Sequence, residues 1–254
     1  MAARPHRVTP KRFHPWLALR SAWSVLRDPE NTAAGARLVL CFEGGEAEQN
    51  YDRFKAHPVG ARILAGAPTA FDLLRDHEAL RALPEGSLGR AFLDFVETEG
   101  ISTERLDEVV GPVEEELIAP SLEARRYLRH TRATHDLWHV LTGYSRDLLG
   151  ELLLLDFSYV QLGRRPFGWI VRLAKLGIER KLPGSGARAL LADAEARAAR
   201  AEWLATADWQ SLLALPLDEV RERLRLGPPP VYTRYFRAPQ GIRVVPESEL
   251  QPAA

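Results

Sequence analysis

The sequence has little cysteine, no net charge and no long apolar run. Its one cysteine, Cys41, cannot form an internal disulfide, which fits a reducing compartment. Lys+Arg and Asp+Glu each number 34, so the chain lacks the positive excess with which proteins neutralise nucleic-acid phosphates. No apolar run reaches the roughly 18 residues that a membrane-spanning helix needs. We therefore expect no disulfide framework, no nucleic-acid partner and no transmembrane segment.

The composition is that of a folded protein with a sizeable core. Hydrophobic residues make up 46% of the 254 residues and charged residues 27%, values typical of globular proteins. The basic N-terminus is not followed by an apolar signal core, so we expect no secretory leader and a bacterial cytoplasmic setting. The chain divides into a flexible N-terminus at 1–14, a helical domain at 15–225 and a Pro/Arg-rich C-terminal tail at 226–254.

Apolar residues recur with the helical period along most of the chain, and Pro166, Pro183 and Pro216 lie where helices should start or stop. Alternation typical of strands occurs only near 231–236 and 242–245. The predicted fold is therefore all-α, a single helical domain. The predicted helices cover 16–27, 46–56, 59–66, 69–81, 86–97, 114–118, 121–142, 147–162, 166–181, 186–206 and 216–224.

The first part of the candidate site is a cluster of ligand-type residues on one predicted helix. Each helical residue advances by about 100°, so His135, Asp136 and His139 project from one face, with the two histidines one turn apart. Imidazole nitrogen and carboxylate oxygen suit zinc, and also iron, cobalt or manganese. Asp136 either binds the metal directly or orients a ligating histidine.

Glu151 completes the cluster if the chain turns back on itself. A straight helix would place it about 18 Å beyond His139, far outside a coordination sphere. Gly143 fits a helix C-cap and Asp147 fits an N-cap, and a hairpin with that turn brings Glu151 level with His139. Pairs of histidines on solvated helix faces are common, but these two helices are largely apolar. Unpaired polar groups there cost several kcal/mol. The sequence therefore predicts one divalent metal ion, Zn²⁺ first, on a helix–turn–helix hairpin.

With these residues in place the chain resembles the coenzyme Q biosynthesis protein 4 family. The hallmark of that family, His-Asp-x-x-His followed by eleven residues and Glu, is matched without a gap by 135–139 and Glu151. Segments 57–64 (HPVGARIL) and 83–95 (LPEGSLGRAFLDF) resemble two further family stretches in the same order. The resemblance extends from about residue 15 to about residue 225.

The resemblance implies an all-helical protein whose divalent metal is held at the positions of His135, Asp136, His139 and Glu151. It implies ubiquinone biosynthesis by a lyase that decarboxylates C1 of a polyprenylated, 4-hydroxybenzoate-derived ring oxidatively, replacing the carboxylate by a hydroxyl. The expected partners are the polyprenylated quinone precursor, other ubiquinone-biosynthesis enzymes and a membrane surface. The expected location is peripheral, on the cytoplasmic face of a bacterial inner membrane or the matrix side of the mitochondrial one. Whether the protein is a homodimer stays open.

Two further sets of residues are candidates for contacts with substrate or membrane. Upstream of the histidines, a basic cluster either captures a carboxylate or lipid headgroup or forms a solvated face. Its candidate contact residues are Arg125, Arg129 and Arg132. Segment 164–181 either lies in the headgroup layer as a basic amphipathic helix or packs on the core. Its candidate membrane contacts are Phe167, Trp169, Ile170, Arg172 and Lys175.

Two other functions compete with the decarboxylase interpretation. The first is a non-catalytic lipid-binding scaffold that organises the other biosynthetic enzymes, in which the metal only stabilises the fold. The second is a metal-dependent phosphohydrolase of the His-Asp doublet type. That class needs a further upstream histidine and a distant downstream aspartate, and His130 lies too close to the doublet to serve.

Overall fold

A computed structural model describes residues 8–10, 14–27, 31–43, 45–118, 120–181, 185–238 and 241–245. Over these residues the chain is mostly helical, and the predicted all-α class is confirmed. The helices are α1 (Pro15–Arg27), α2 (Thr32–Cys41), α3 (Gly45–Ala56), α4 (Pro58–Ala65), α5 (Ala70–Leu74), α6 (His77–Arg81), α7 (Leu88–Glu99), α8 (Thr103–Leu117), α9 (Leu122–Thr142), α10 (Leu148–Leu162), α11 (Arg165–Lys181), α12 (Ala187–Arg200), α13 (Trp209–Leu212) and α14 (Leu217–Arg223), with a 3₁₀ turn at Leu204–Thr206.

Several helix boundaries differ from the prediction for local reasons. The predicted helix at 69–81 is two helices, because the side chain of Asp76 accepts a hydrogen bond from the Ala79 amide and starts α6 afresh. Helix α8 begins eleven residues earlier than predicted, after the N-cap Ser102, and continues through Pro112. Helix α12 ends at Arg200 rather than 206, because Ala201 is extended. Helices α2 and α13 were not predicted.

The core is built around α9 and α10. Helix α10 is apolar on nearly every side because α9, α11, α12 and β1 (Arg234–Ala238) all pack against it. Leu149, Leu153 and Phe157 are completely buried, and burying each such side chain stabilises the fold by about 1.5–3 kcal/mol. In the part of the chain that the structure describes, no helix is both long and apolar enough to cross a bilayer.

Parts of the two predicted terminal segments contact the helical domain. The backbone amides of Val8 and Thr9 donate to Glu48 in α3, at 3.0 and 3.1 Å. Near the other end, β1 pairs in antiparallel fashion with β2 (Gly241–Val245). The amide of Tyr235 in β1 donates to the Asp147 carboxylate at 2.6 Å. The domain limits at 14/15 and 225/226 stay a prediction, but residues on both sides of each limit pack together.

Candidate metal centre

The turn between α9 and α10 has the two caps that the sequence predicts. Gly143 adopts a left-handed conformation with φ +75°, and its amide donates to the carbonyl of His139 at 2.9 Å. Asp147 caps α10 by accepting from the amides of Leu149 and Gly150. Between these caps the chain changes direction within five residues, so that the first turn of α10 lies beside the last turn of α9.

This change of direction brings the side chain of Glu151 close to that of His139. The Oε2 atom of Glu151 lies 3.6 Å from Nε2 of His139, whereas a continuous helix would separate the two residues by about 18 Å. The other carboxylate oxygen of Glu151 lies 3.7 Å from the guanidinium of Arg146 in the turn. Arg146 was not predicted as a site residue. The feature that could have identified it is its position as a charged residue between the two caps.

His139 has one ring nitrogen committed and the other available. Its Nδ1 atom is 2.9 Å from the carbonyl oxygen of Tyr144, and since a carbonyl only accepts, Nδ1 carries the hydrogen. The lone pair then resides on Nε2, which is fully buried and has no hydrogen-bond partner among the described residues. A buried unpaired nitrogen is costly, and a bound metal ion would remove that cost. Tyr144 was not predicted as a site residue, because it orients His139 through its backbone carbonyl and not through its side chain.

His135 and Asp136 join His139 in one group. One potential ligand atom from each of the three lies within 4.8 Å of the others. The Nδ1 atom of His135 is 3.3 Å from an oxygen of Asp136, and the two imidazole centroids are 5.0 Å apart. Together with Glu151 this group offers two nitrogens and two carboxylates, a donor set that zinc and related divalent ions accept. We call these four residues the metal cluster.

The charges of the cluster favour a bound cation. Burial opposes ionisation, but the hydrogen bond and charge of His135 outweigh it and lower the pKa of Asp136. Burial also opposes the ionisation of Glu151, but the nearby imidazoles of His139 and His135 and the guanidinium of Arg146 lower its pKa. Burial also opposes the charged imidazole of His135, yet Asp136 and Glu151 raise its pKa. Both carboxyl groups are therefore anionic at neutral pH.

A cavity of about 650 Å³ opens beside the metal cluster. His135 and Glu151 form part of its wall, and most of the remaining wall is apolar. The apolar side chains come from helices far apart in the sequence. They include Val39 and Leu40 of α2, Leu106 and Val110 of α8, and Trp138 and Leu155 of α9 and α10.

The three candidate arginines upstream of the histidines all contact carboxylates of α8. Arg125 lies 2.7 Å from Glu115, and Arg129 lies 3.3 Å from Asp107. Arg132 lies 2.6 Å from Glu114 and also contacts Asp107. Of these arginines only Arg132 lines the cavity. A contact with substrate or lipid stays a prediction for the three.

His130, in the same basic stretch, has a structural role. Its Nδ1 accepts from the Ala70 amide at 3.0 Å, and its Nε2 lies 3.2 Å from the Ala205 carbonyl. Burial lowers its pKa to about 4, so the ring is neutral and satisfied. This leaves His130 unable to supply the extra metal ligand of a phosphohydrolase.

The five candidate membrane contacts of α11 separate into two groups. Trp169 and Ile170 are exposed, as is Arg172, whose guanidinium lies 5.5 Å from the Trp169 ring centroid. Phe167 instead lines the cavity. Lys175 forms ion pairs with Asp156 and Glu195, at 3.1 and 2.5 Å. The exposed group keeps the membrane prediction open, and the other two side chains face protein.

Comparison with known proteins places this chain in a family. The sequence profile described as "Coenzyme Q (ubiquinone) biosynthesis protein Coq4" matches residues 8–230. A Bos taurus protein named "Ubiquinone biosynthesis protein COQ4 homolog, mitochondrial" is 33% identical over 147 residues, which are 58% of this chain and 53% of that protein. A Rattus norvegicus protein of the same name is 30% identical over 183 residues, or 70% of this chain and 65% of the relative.

A solved structure agrees with the fold. The crystal structure of a Nostoc punctiforme protein assigned to ubiquinone biosynthesis superposes with a TM-score of 0.58 at 19% identity, covering 85% of this chain and 100% of that one. At this identity the likeness shows the fold alone. The chain spans between about half and two-thirds of the length of the two mammalian relatives. The match over residues 8–230 shows that the chain belongs to the coenzyme Q (ubiquinone) biosynthesis protein Coq4 family, which takes part in ubiquinone biosynthesis.

Proposed function

We propose that the protein carries out the oxidative decarboxylation of ubiquinone biosynthesis at C1 of a polyprenylated, 4-hydroxybenzoate-derived ring. The observation that carries this proposal is the position of His139. Its unpaired Nε2 faces Glu151 at 3.6 Å, and His135 and Glu151 of the same cluster form part of the wall of a mostly apolar cavity. A metal-binding group beside a cavity for an apolar tail suits a substrate with a charged ring and an isoprenoid chain.

Four residues of this chain are proposed to hold one divalent ion, Zn²⁺ first. His139 is aligned by the Tyr144 carbonyl, Glu151 approaches from α10, and His135 and Asp136 act as a pair. When bound, the ion supplies Lewis acidity toward the negative charge on the ring carboxylate and phenolate.

Arg132 is the candidate contact for the substrate anion. It lies one turn before His135 on α9, and both side chains line the cavity. Its Nε atom is buried without a hydrogen-bond partner in the described part of the chain, while its two terminal nitrogens contact Glu114 and Asp107. The two carboxylates hold the guanidinium in place, and an incoming carboxylate oxygen would satisfy Nε.

The reaction balances with O₂ as the oxidant. A 4-hydroxybenzoate ring and one O₂ yield the quinone, CO₂ and water: the bond from C1 to the carboxylate breaks, and a C–O bond forms in its place. An external reductant then supplies two electrons and two protons that convert the quinone to the hydroquinone, so that a hydroxyl stands where the carboxylate was. The apolar cavity walls would keep bulk water from the ring during these steps.

The test combines metal content with release of labelled CO₂. Elemental analysis should find about one equivalent of a divalent metal in the wild type, and His139→Ala and Glu151→Gln should lose it. Glu99→Gln is the matched control, because Glu99 lies 4.0 Å from Arg146 but outside the metal cluster. Carboxyl-labelled prenylated 4-hydroxybenzoate should release labelled CO₂ under air and none without O₂.

Two results would contradict the proposal. A folded wild type free of metal would remove the cluster's role. A metal-loaded protein that binds the prenylated ring without releasing CO₂ would favour the non-catalytic scaffold for other ubiquinone-biosynthesis enzymes.

The exposed face of α11 is our proposed site of peripheral membrane contact. Trp169 and Ile170 would enter the headgroup region and Arg172 would meet lipid phosphates. The membrane would be the bacterial inner membrane on its cytoplasmic face, or the mitochondrial inner membrane on its matrix side. The curated relatives are named mitochondrial proteins. The exchange of Trp169 and Ile170 for aspartate should weaken binding to anionic liposomes.

A further inference from the structure

One face of helix α1 exposes three large apolar side chains. Trp16, Leu19 and Trp23 are 81%, 61% and 57% exposed, and their spacing of three and four residues places them on one face of the helix. Among the α1 residues whose side chains the structure describes, the buried ones are the small residues Ala18 and Ser21, on the side where α2 packs, and Leu17 is half-buried. A helix that only supports the core has the opposite arrangement, with its large apolar residues inside.

The three exposed side chains of this face are neighbours, unlike the isolated apolar residues found on most protein surfaces. Single apolar side chains on a surface are normal, whereas contiguous patches mark interaction sites. Tryptophan is the residue that prefers the boundary between lipid and water, because its ring is apolar and its indole N–H can be solvated. Two tryptophans and a leucine in one stripe therefore indicate a partner that has an apolar interior and a hydrated surface, as a lipid bilayer has.

The charged residues within α1 favour an anionic partner. Residues 15–27 contain Arg20 and Arg27 and no acidic residue, and Asp28 and Glu30 follow the helix in the sequence. The Arg27 guanidinium lies 4.8 Å from the centroid of the Trp23 ring, the same pairing of arginine and tryptophan that α11 shows. Two copies joined through this face would bring like charges together, which disfavours self-association there.

The segments on both sides of α1 line the cavity of the metal cluster. Val8, which precedes the helix, and Gly35, Ala36 and Val39 of α2, which follows it, belong to the cavity wall. Helix α2 is thus shared between the cavity and α1. A bilayer on the outer face of α1 would lie next to this wall of the cavity.

We propose that α1 is a docking surface for an anionic lipid bilayer, with Trp16, Leu19 and Trp23 in the headgroup layer and Arg20 and Arg27 on lipid phosphates. The wall formed by Val8 and α2 then faces the membrane, and the lipid-tailed ligand reaches the cavity from the bilayer. The entry route rests on the proposed function, because it takes the ligand to be polyprenylated. The docking itself does not depend on the metal or on catalysis.

Vesicle flotation of the full chain tests the docking surface. The probe is phosphatidylcholine vesicles containing about one-third phosphatidylglycerol. The triple variant Trp16→Ser, Leu19→Ser, Trp23→Ser should lower the partition coefficient at least about tenfold, because three large side chains leave the lipid. Leu122→Ser is the matched control, since Leu122 is 77% exposed at the start of α9, and it should bind as the wild type does.

Further variants test whether vesicle binding depends on charge and whether another surface of the protein accounts for it. Arg20→Glu with Arg27→Glu should remove the preference for phosphatidylglycerol over pure phosphatidylcholine, and added salt should weaken wild-type binding. Wild-type binding by the triple α1 variant would overturn the proposal, even if the Trp169→Asp, Ile170→Asp variant of α11 loses binding. A wild-type dimer that the triple variant converts to monomers, with no binding to vesicles, would also overturn it. Because the vesicles carry no substrate, an inactive enzyme that binds them leaves the docking proposal standing.

Discussion

Removal of one hydroxyl group at Tyr232 should weaken both the fold and the metal cluster. The Tyr232 hydroxyl accepts from the Ser145 amide at 2.8 Å and donates to the Asp147 carboxylate at 3.0 Å. Asp147 caps α10, and Glu151 lies one turn further along that helix. Tyr232→Phe leaves the amide of the buried Ser145 without its acceptor and removes a donor from the buried carboxylate of Asp147. We expect a loss of about 2–3 kcal/mol in the free energy of unfolding.

The same change should be visible in metal binding. A contact that positions a ligand typically changes metal affinity by about 10–100-fold, and the turn from Gly143 to Asp147 sets the distance between His139 and Glu151. Urea unfolding measures the stability, and competition with a chromophoric chelator measures zinc affinity.

Tyr235→Phe is the control for Tyr232→Phe. Tyr235 contacts Asp147 through its backbone amide, which the substitution keeps. Unchanged stability and affinity in Tyr232→Phe would refute the argument that the C-terminal segment holds the hairpin in place.

Two further changes have defined outcomes. Burial lowers the folded-state pKa of His130 from 6.5 to about 4. The neutral ring therefore contributes its full stabilisation of the folded state above pH 6.5. This stabilisation is lost as the pH falls toward 4, by about 3 kcal/mol in all. Urea midpoints at pH 7.5 and 4.5 should show this loss, and His130→Gln, which can accept from Ala70 and donate to Ala205, should reduce it. Asp136→Asn should retain the metal with about tenfold weaker affinity, because an amide oxygen can still accept from Nδ1 of His135. A complete loss of metal in this variant would make Asp136 a direct ligand.

The closeness of His139 and Glu151 follows from signals that are local in the sequence. Gly143 takes the left-handed conformation that glycine favours, and Asp147 caps the next helix as short acidic residues do. Neither residue needs a distant partner to act, so the turn and the closeness of the His139 and Glu151 side chains could be predicted from seventeen consecutive residues.

The partners of the arginines and the cavity depend on distant residues and could not be predicted. Arg132 meets Asp107 and Glu114 only because α8 packs along α9. The prediction of a short helix at 114–118 left Asp107 outside any element. Helix α2 was missed as well, although it supplies part of the cavity wall. Side-chain type alone does not show which carboxylate a guanidinium will meet, because ion pairs join elements whose relative position is set by packing.

The two histidines of the metal cluster are oriented in the same way, by an oxygen atom near Nδ1. Each has Nδ1 directed at an oxygen atom: the Tyr144 carbonyl for His139 at 2.9 Å and the Asp136 carboxylate for His135 at 3.3 Å. A hydrogen on each Nδ1 leaves both Nε2 atoms as potential ligands. This symmetry favours Asp136 as the residue that orients His135, and it explains why an acid stands directly beside the first histidine. His139 needs no such neighbour, because the turn that brings Glu151 to it also supplies the carbonyl.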